Sequence, residues 1–173
     1  VYPALESKEF EAAVADLKSQ IGALEQYFTQ KVDKTSAKTP VKKLATVAGG
    51  AIDQLNALYE LWISIGAYIQ SFVTTNSRDT LALKKLSEFE QVGVRVQNLS
   101  TRFIAWVGKL SPVLDDVIGA NESTKAHAFA LKEAARQSKY LMSGVEESLA
   151  AELDVSGANA WGKLQGTVTS QLS

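Results

Sequence analysis

Residues 58–73, LYELWISIGAYIQSFV, decide how this chain folds. Leu58, Leu61, Trp62, Ile63, Ile65, Tyr68, Ile69, Phe72 and Val73 cover nearly every side of a helix drawn at about 3.6 residues per turn. A helix that is apolar all round belongs inside a protein or a membrane. A membrane span needs about 20 predominantly apolar residues. This run is shorter, carries Glu60, Ser64 and Gln70, and has polar chain on both sides. It is therefore expected to be the buried central helix of a bundle. Such a helix sets a fold and by itself gives no function.

Working outward, the same pattern extends backward to Thr39-Pro40, a helix start with Thr39 as N-cap and Pro40 in the first turn. Val41, Leu44, Ala48, Ile52 and Leu55 lead into the central run. Gly49-Gly50 interrupts them at about 1 kcal/mol per glycine, and the spacing predicts helix through both, as a close-packing point. The element then covers 40–75 and about 50 Å at 1.5 Å per residue. Upstream, Ser7 is an N-cap with Glu9 and Glu11 in the first turn. Phe10, Val14, Leu17, Ile21, Leu24 and Phe28 form a narrow seam along a helix over 7–32, which predicts a partner helix within the same chain. Residues 33–39, DKTSAKT, read as a loop.

Downstream, Asn76 or Ser77 is the expected cap of a helix over 78–110. Leu83, Leu86, Phe89, Gly93, Val96, Phe103, Trp106 and Leu110 lie on its inner face, and Ser111-Pro112 ends it. Residues 113–120 predict a short helical turn or an ordered loop, and 123–139 a shorter amphipathic helix. Ser143-Gly144-Val145-Glu146 fits a capping box, opening a helix over 144–153. A last helix over 157–170 places Trp161, Leu164 and Val168 on one side. Hairpin turns and alternating runs are missing. The fold class is all-α: an elongated bundle of five to six helices, long antiparallel ones around a buried central helix, in a single domain over 1–173.

Composition removes several functions. The chain has 173 residues, 46% of them hydrophobic, so disorder of the whole is excluded. A net charge of −1 gives no electrostatic basis for nucleic acid or an anionic membrane. Without cysteine there is no disulfide, thiol nucleophile or cysteine-based zinc site. The single histidine, His127, cannot supply the two imidazoles of a His-Glu-x-x-His helix. It sits in KAHAFALKEAARQ, a helical surface context, without the strained serine turn of a hydrolase triad. Asp115-Asp116 and Glu146-Glu147 are adjacent on a helix and point about 100° apart, so they do not converge as catalytic pairs. Lys42-Lys43 and Lys84-Lys85 read as solvated faces, and Trp62, Trp106 and Trp161 as core. No catalytic, cofactor-binding or metal-binding residue is predicted.

Several stretches together resemble the N-terminal helical region of the oligoendopeptidase F family, zinc metallopeptidases related to thimet oligopeptidase. Residues 2–10, YPALESKEF, are similar to that family's Tyr-Pro-x-Leu-x-Ser start of its first helix. Residues 67–90, AYIQSFVTTNSRDTLALKKLSEFE, and 99–108, LSTRFIAWVG, resemble its second and third helices. Residues 147–172, ESLAAELDVSGANAWGKLQGTVTSQL, are similar to its Leu-Ser-x-x-Gly-x-x-Ala-Trp-x-x-Leu-x-x-x-Leu-Thr-Ser segment. The resemblance implies a cytoplasmic peptidase of short peptides, with zinc on a downstream His-Glu-x-x-His helix and a helical cap over its substrate channel. This chain carries no such motif, so zinc and activity are expected in a separate catalytic part, its main partner. The start at Val1 and the unfinished pattern at Ser173 fit a portion of a longer protein, with apolar surface around Trp161 and Leu164 kept for the remainder. The competing expectation is a stand-alone helical interaction module using the seam from Phe10 to Phe28. A third is a chelator-insensitive hydrolase built on His127, which His127→Ala would inactivate.

Overall fold

A computed structural model describes residues 2–169, and among these it contains helices and no strand. Six helices have ten or more residues: α1 (Lys8–Tyr27), α2 (Val41–Thr75), α3 (Thr80–Lys109), α6 (Ala128–Gln137), α7 (Gly144–Ser156) and α8 (Ala158–Thr169). Between α3 and α6 lie two short ones, α4 (Leu114–Gly119) and α5 (Glu122–Ala126). The all-α bundle read from the sequence is the fold of the chain. Residue 170, the expected end of the last helix, and Leu172 and Ser173 lie outside the described residues.

The opening of α1 follows the local code. Ser7 Oγ accepts the Phe10 amide at 3.2 Å, and Glu9 and Glu11 fill the first turn. Phe10, Leu17, Ile21, Leu24 and Phe28 are buried against α2 and α3. The seam is thus spent inside the chain and is not available to an outside partner, which removes that form of the interaction-module expectation. After Tyr27 the helix widens into a π turn, Phe28–Val32, where the Asp33 amide reaches the Phe28 carbonyl at 2.9 Å. The π turn keeps both Phe28 and Val32 facing inward.

Helix α2 runs unbroken through Gly49 and Gly50, and both are contact points. A Cβ on Gly50 would lie 2.5 Å from the Tyr27 hydroxyl, which donates to the Val47 carbonyl at 3.0 Å. A Cβ on Gly49 would lie 2.9 Å from Asn121 Oδ1 at the start of α5. The start of α2 differs from expectation by one residue: Pro40 is the N-cap, and Thr39 Oγ1 accepts the Ser36 amide at 3.1 Å instead of capping. The cap of α3 also moves. Asp79 Oδ1 accepts the amides of Leu81 and Ala82, both at 3.0 Å, while Asn76 Oδ1 is taken by the Arg78 amide. A carboxylate at the N-terminus gains more from the helix dipole than an amide or hydroxyl does.

The central run is not buried all round. Leu58, Ile65 and Ile69 are buried, but Ile63 is 64% exposed and Ala67 and Gln70 face outward. The reason is length. Helices α1 and α3 flank α2 over most of its course, and α4 and α5 cover a further side only near its beginning. The more completely enclosed part is therefore earlier, at Leu44, Ala45, Ala48 and Ala51.

The expected helix over 123–139 is broken at His127, where φ −105° and ψ 23° leave the helical region. Residues 113–120 hold more structure than a turn: α4 buries Leu114, Val117 and Ile118. Thr124, fully buried, donates its hydroxyl to the Asn121 carbonyl at 2.8 Å, with the Val117 and Ile118 carbonyls at 3.1 and 3.0 Å. The capping box is present, with Ser143 and Glu146 each accepting the other's amide, and α7 continues to Ser156.

Two ion pairs fasten α3 to the beginning of the chain. Arg95 holds both oxygens of Glu25, at 2.9 and 2.8 Å, and Arg102 meets Asp33 at 2.7 Å. The Arg95 guanidinium, through these hydrogen bonds, holds the Glu25 carboxyl below its ordinary value of 4.5. Its folded pKa lies below its unfolded one, so the stabilisation is complete above about that value and is lost as pH falls through the folded pKa. The pair is solvent-screened and contributes at most about 1 kcal/mol. Glu25→Gln is expected to lower the urea midpoint slightly at pH 7, with a difference that shrinks as pH drops below the carboxylate range. An equal loss at both ends would show that charge is not the cause.

Candidate docking surface

Among the described residues, His127 and the adjacent acids each have partners of their own. His127 is half-buried between α5 and α6, with Nδ1 donating to the Ser123 carbonyl at 2.8 Å and Nε2 accepting from Asn56 Nδ2 at 3.1 Å. Both ring nitrogens are engaged, Nδ1 within α5 and Nε2 in joining the α5–α6 corner to α2. Asp115 pairs with Lys132 at 2.9 Å, in solvent. Glu146 is occupied in the capping box, and Glu147 accepts the Met142 amide at 2.9 Å. Among the described residues no group of three His, Asp or Glu side chains could hold a metal ion. The zinc implied by the sequence resemblance therefore does not fit these residues. No helix among them is long and apolar enough to cross a membrane.

The tryptophans divide. Trp106 is buried, and its Nε1 donates to Thr35 Oγ1 at 3.1 Å. Trp62 stacks on Phe89 with centroids 3.7 Å apart and planes 17° from parallel. Each ring rests in a glycine notch of the facing helix: a Cβ on Gly93 would lie 2.7 Å from Trp62, and one on Gly66 would lie 3.0 Å from Phe89. Small residues thus let α2 and α3 approach, with flat rings filling the seam. Trp161 contradicts the core expectation, being 71% exposed on α8. No described residue covers it.

Trp161 belongs to a larger feature. Helices α7 and α8 bury none of their described residues, whereas each of the α-helices α1 to α6 buries at least one. On α7, Val145, Leu149 and Leu153 recur at four-residue intervals and are exposed, Val145 by 81%. At about 100° per residue these three share one side, flanked by Glu146 and Glu152. On α8, Trp161, Leu164 and Val168 recur at intervals of three and four and are exposed as well. Two successive amphipathic helices thus turn apolar rows outward, a pattern that marks surface built for contact. The sequence pointed to Trp161 and Leu164. The α7 row was missed, although its four-residue spacing was there to be read.

By its fold, then, this is an all-helical bundle in which α7 and α8 leave apolar rows uncovered among the described residues. The family comparison agrees with that class. Residues 112–173 match the family model for the N-terminal region of M3 peptidases, described as oligopeptidase F. The match supports an N-terminal region of the oligoendopeptidase F family and a part of an oligopeptidase-type enzyme. It takes in the 147–172 segment quoted above and leaves the stretches at 2–10, 67–90 and 99–108 resting on their sequence motifs. No curated protein and no solved structure matches the chain.

Proposed function

We propose that the chain is a non-catalytic helical lobe of a zinc-dependent oligoendopeptidase that hydrolyses short peptides in the cytoplasm. In this reading the lobe caps and shapes the substrate channel. The catalytic part of the same enzyme holds the zinc and seats against the exposed rows of α7 and α8. The observation that carries the reading is their coincidence with the matched stretch: Val145, Leu149, Leu153, Trp161, Leu164 and Val168 all fall within residues 112–173. A surface of this kind costs free energy in water and gains it when covered, at about 25 cal/mol per Å² of apolar area. The net charge of −1 gives nucleic acid and membranes no part in it.

The purified chain is expected to release no product from a quenched fluorescent peptide, with or without added zinc. A zinc-dependent, chelator-sensitive rate in pure material would overturn the non-catalytic role. The encoding reading frame tests the lobe itself: continuation past Ser173 into a His-Glu-x-x-His helix supports it, and a stop codon at that point defeats it.

A further inference from the structure

We propose that α7 and α8 form a flap, joined to the bundle through residues 141–143 and latched shut by the ion pair between Lys163 and Glu90. The inference is independent of the peptidase reading, since it concerns how the two helices are held and not what covers their outer side. Three observations lead to it. First, α7 and α8 place no described residue in the core, so hydrophobic burial holds them less firmly than any other helix.

Second, α7 runs close along α3, yet the facing side chains of α3, α7 and α8 leave open grooves. A groove of about 520 Å³ lies behind α7, between Glu90, Gly93 and Gln97 on one wall and Ala150, Ala151 and Asp154 on the other. A second groove, about 380 Å³, lies behind α8, where Gly162 and Gly166 face Val73 and Leu86. Glycine and alanine across a gap do not interdigitate, and a gap forfeits dispersion energy that a packed seam would gain. Glu90 lines both grooves and stands between them.

Third, the fastening across that space is polar. Lys163 Nζ donates to Glu90 Oε2, joining α8 to α3. Their side chains are 33% and 18% exposed, the most shielded ion pair among the described residues. Asn98 Nδ2 adds a long hydrogen bond to Ser148 Oγ at 3.4 Å. A shielded pair is stronger than the surface pairs elsewhere on this chain. Removing the Lys163 charge also leaves the shielded Glu90 carboxylate without its partner, a cost that opening to water relieves. Leu141, at φ −68° and ψ 141°, is extended and supplies the joint from which the two helices swing.

Hydrogen exchange followed by mass spectrometry on the whole chain tests the latch. Lys163→Met keeps the stem and removes the charge. It is expected to speed exchange across 144–169 by about tenfold or more while peptides from 44–58 stay within about twofold. The exchanged pair Glu90→Lys with Lys163→Glu is expected to return 144–169 to within about threefold of the native rate. Unchanged exchange over 144–169 in Lys163→Met, an equal rise over 44–58, or no recovery in the exchanged pair would each overturn the proposal.

Discussion

Phe28→Ala is expected to remove about 3–5 kcal/mol of stability, a large share of the roughly 5–15 kcal/mol that holds a typical domain. Phe28 is fully buried at the corner where α1 passes into its π turn. Its ring meets Phe103 of α3 edge-on, with centroids 6.4 Å apart. The Arg102 guanidinium lies 5.3 Å from its centroid, and the same arginine reaches Asp33 at 2.7 Å. Truncation therefore leaves a cavity, loses the ring pair and takes the apolar support from beneath an ion pair. The widened turn cannot close around the void without breaking the Asp33 to Phe28 hydrogen bond. Urea unfolding is the measurement, with the midpoint falling and the slope kept. Phe28→Leu, which nearly preserves volume, is expected to cost about 1.5 kcal/mol or less. A loss below about 1 kcal/mol for Phe28→Ala would mean that the α1–α3 corner is not the packed junction described above.

The second large effect is expected from adding atoms. Helix α3 passes so close to the turn after α6 that a Cβ on Gly108 would lie 2.4 Å from Ser138 Cβ and 2.1 Å from its Oγ. Gly108→Ala gains about 1 kcal/mol of helix propensity in isolation. Here the clash outweighs that gain, because Ser138 is short and its Cβ is fixed to the backbone. A net loss of about 1–3 kcal/mol is expected. Ser138→Gly removes both clashing atoms, after which the nearest remaining atom of the three closest is the Cα at 3.9 Å. The double variant Gly108→Ala, Ser138→Gly is therefore expected to recover most of the loss, a coupling of about 1–2 kcal/mol in the thermodynamic cycle. Additive losses would show that the two segments do not touch.

Both effects fall on places that the sequence only half disclosed. Phe28 was legible as the last member of a four-and-three seam, since helical periodicity alone sets which side chains share a face. The π turn that follows it was not, because whether a helix widens depends on what Val32 must reach across the core. Gly108 carried no signal: it reads as a tolerated glycine near a helix end, and its neighbour at Ser138 is thirty residues away. The candidate surface was split in the same way. Trp161 and Leu164 stood out as apolar residues in the last helix, and the tryptophan reads equally as core or as surface kept for a further part. Periodicity says which residues lie together and cannot say whether anything covers them.

The sequence by itself determined the long helices, two of their caps and the inner side of the long ones. Those depend on hydrogen bonds and side-chain spacing within a few residues, and Ser7, the 143–146 capping box and the α1 seam needed nothing further. Tertiary structure alone decided which apolar faces are closed. Helix α2 loses its cover beyond the reach of α4 and α5, so Ile63 is wet. Helices α7 and α8 follow residues that have already filled the core, so their rows stay outside. Burial is a property of what lies opposite, and the chain alone does not state what that is.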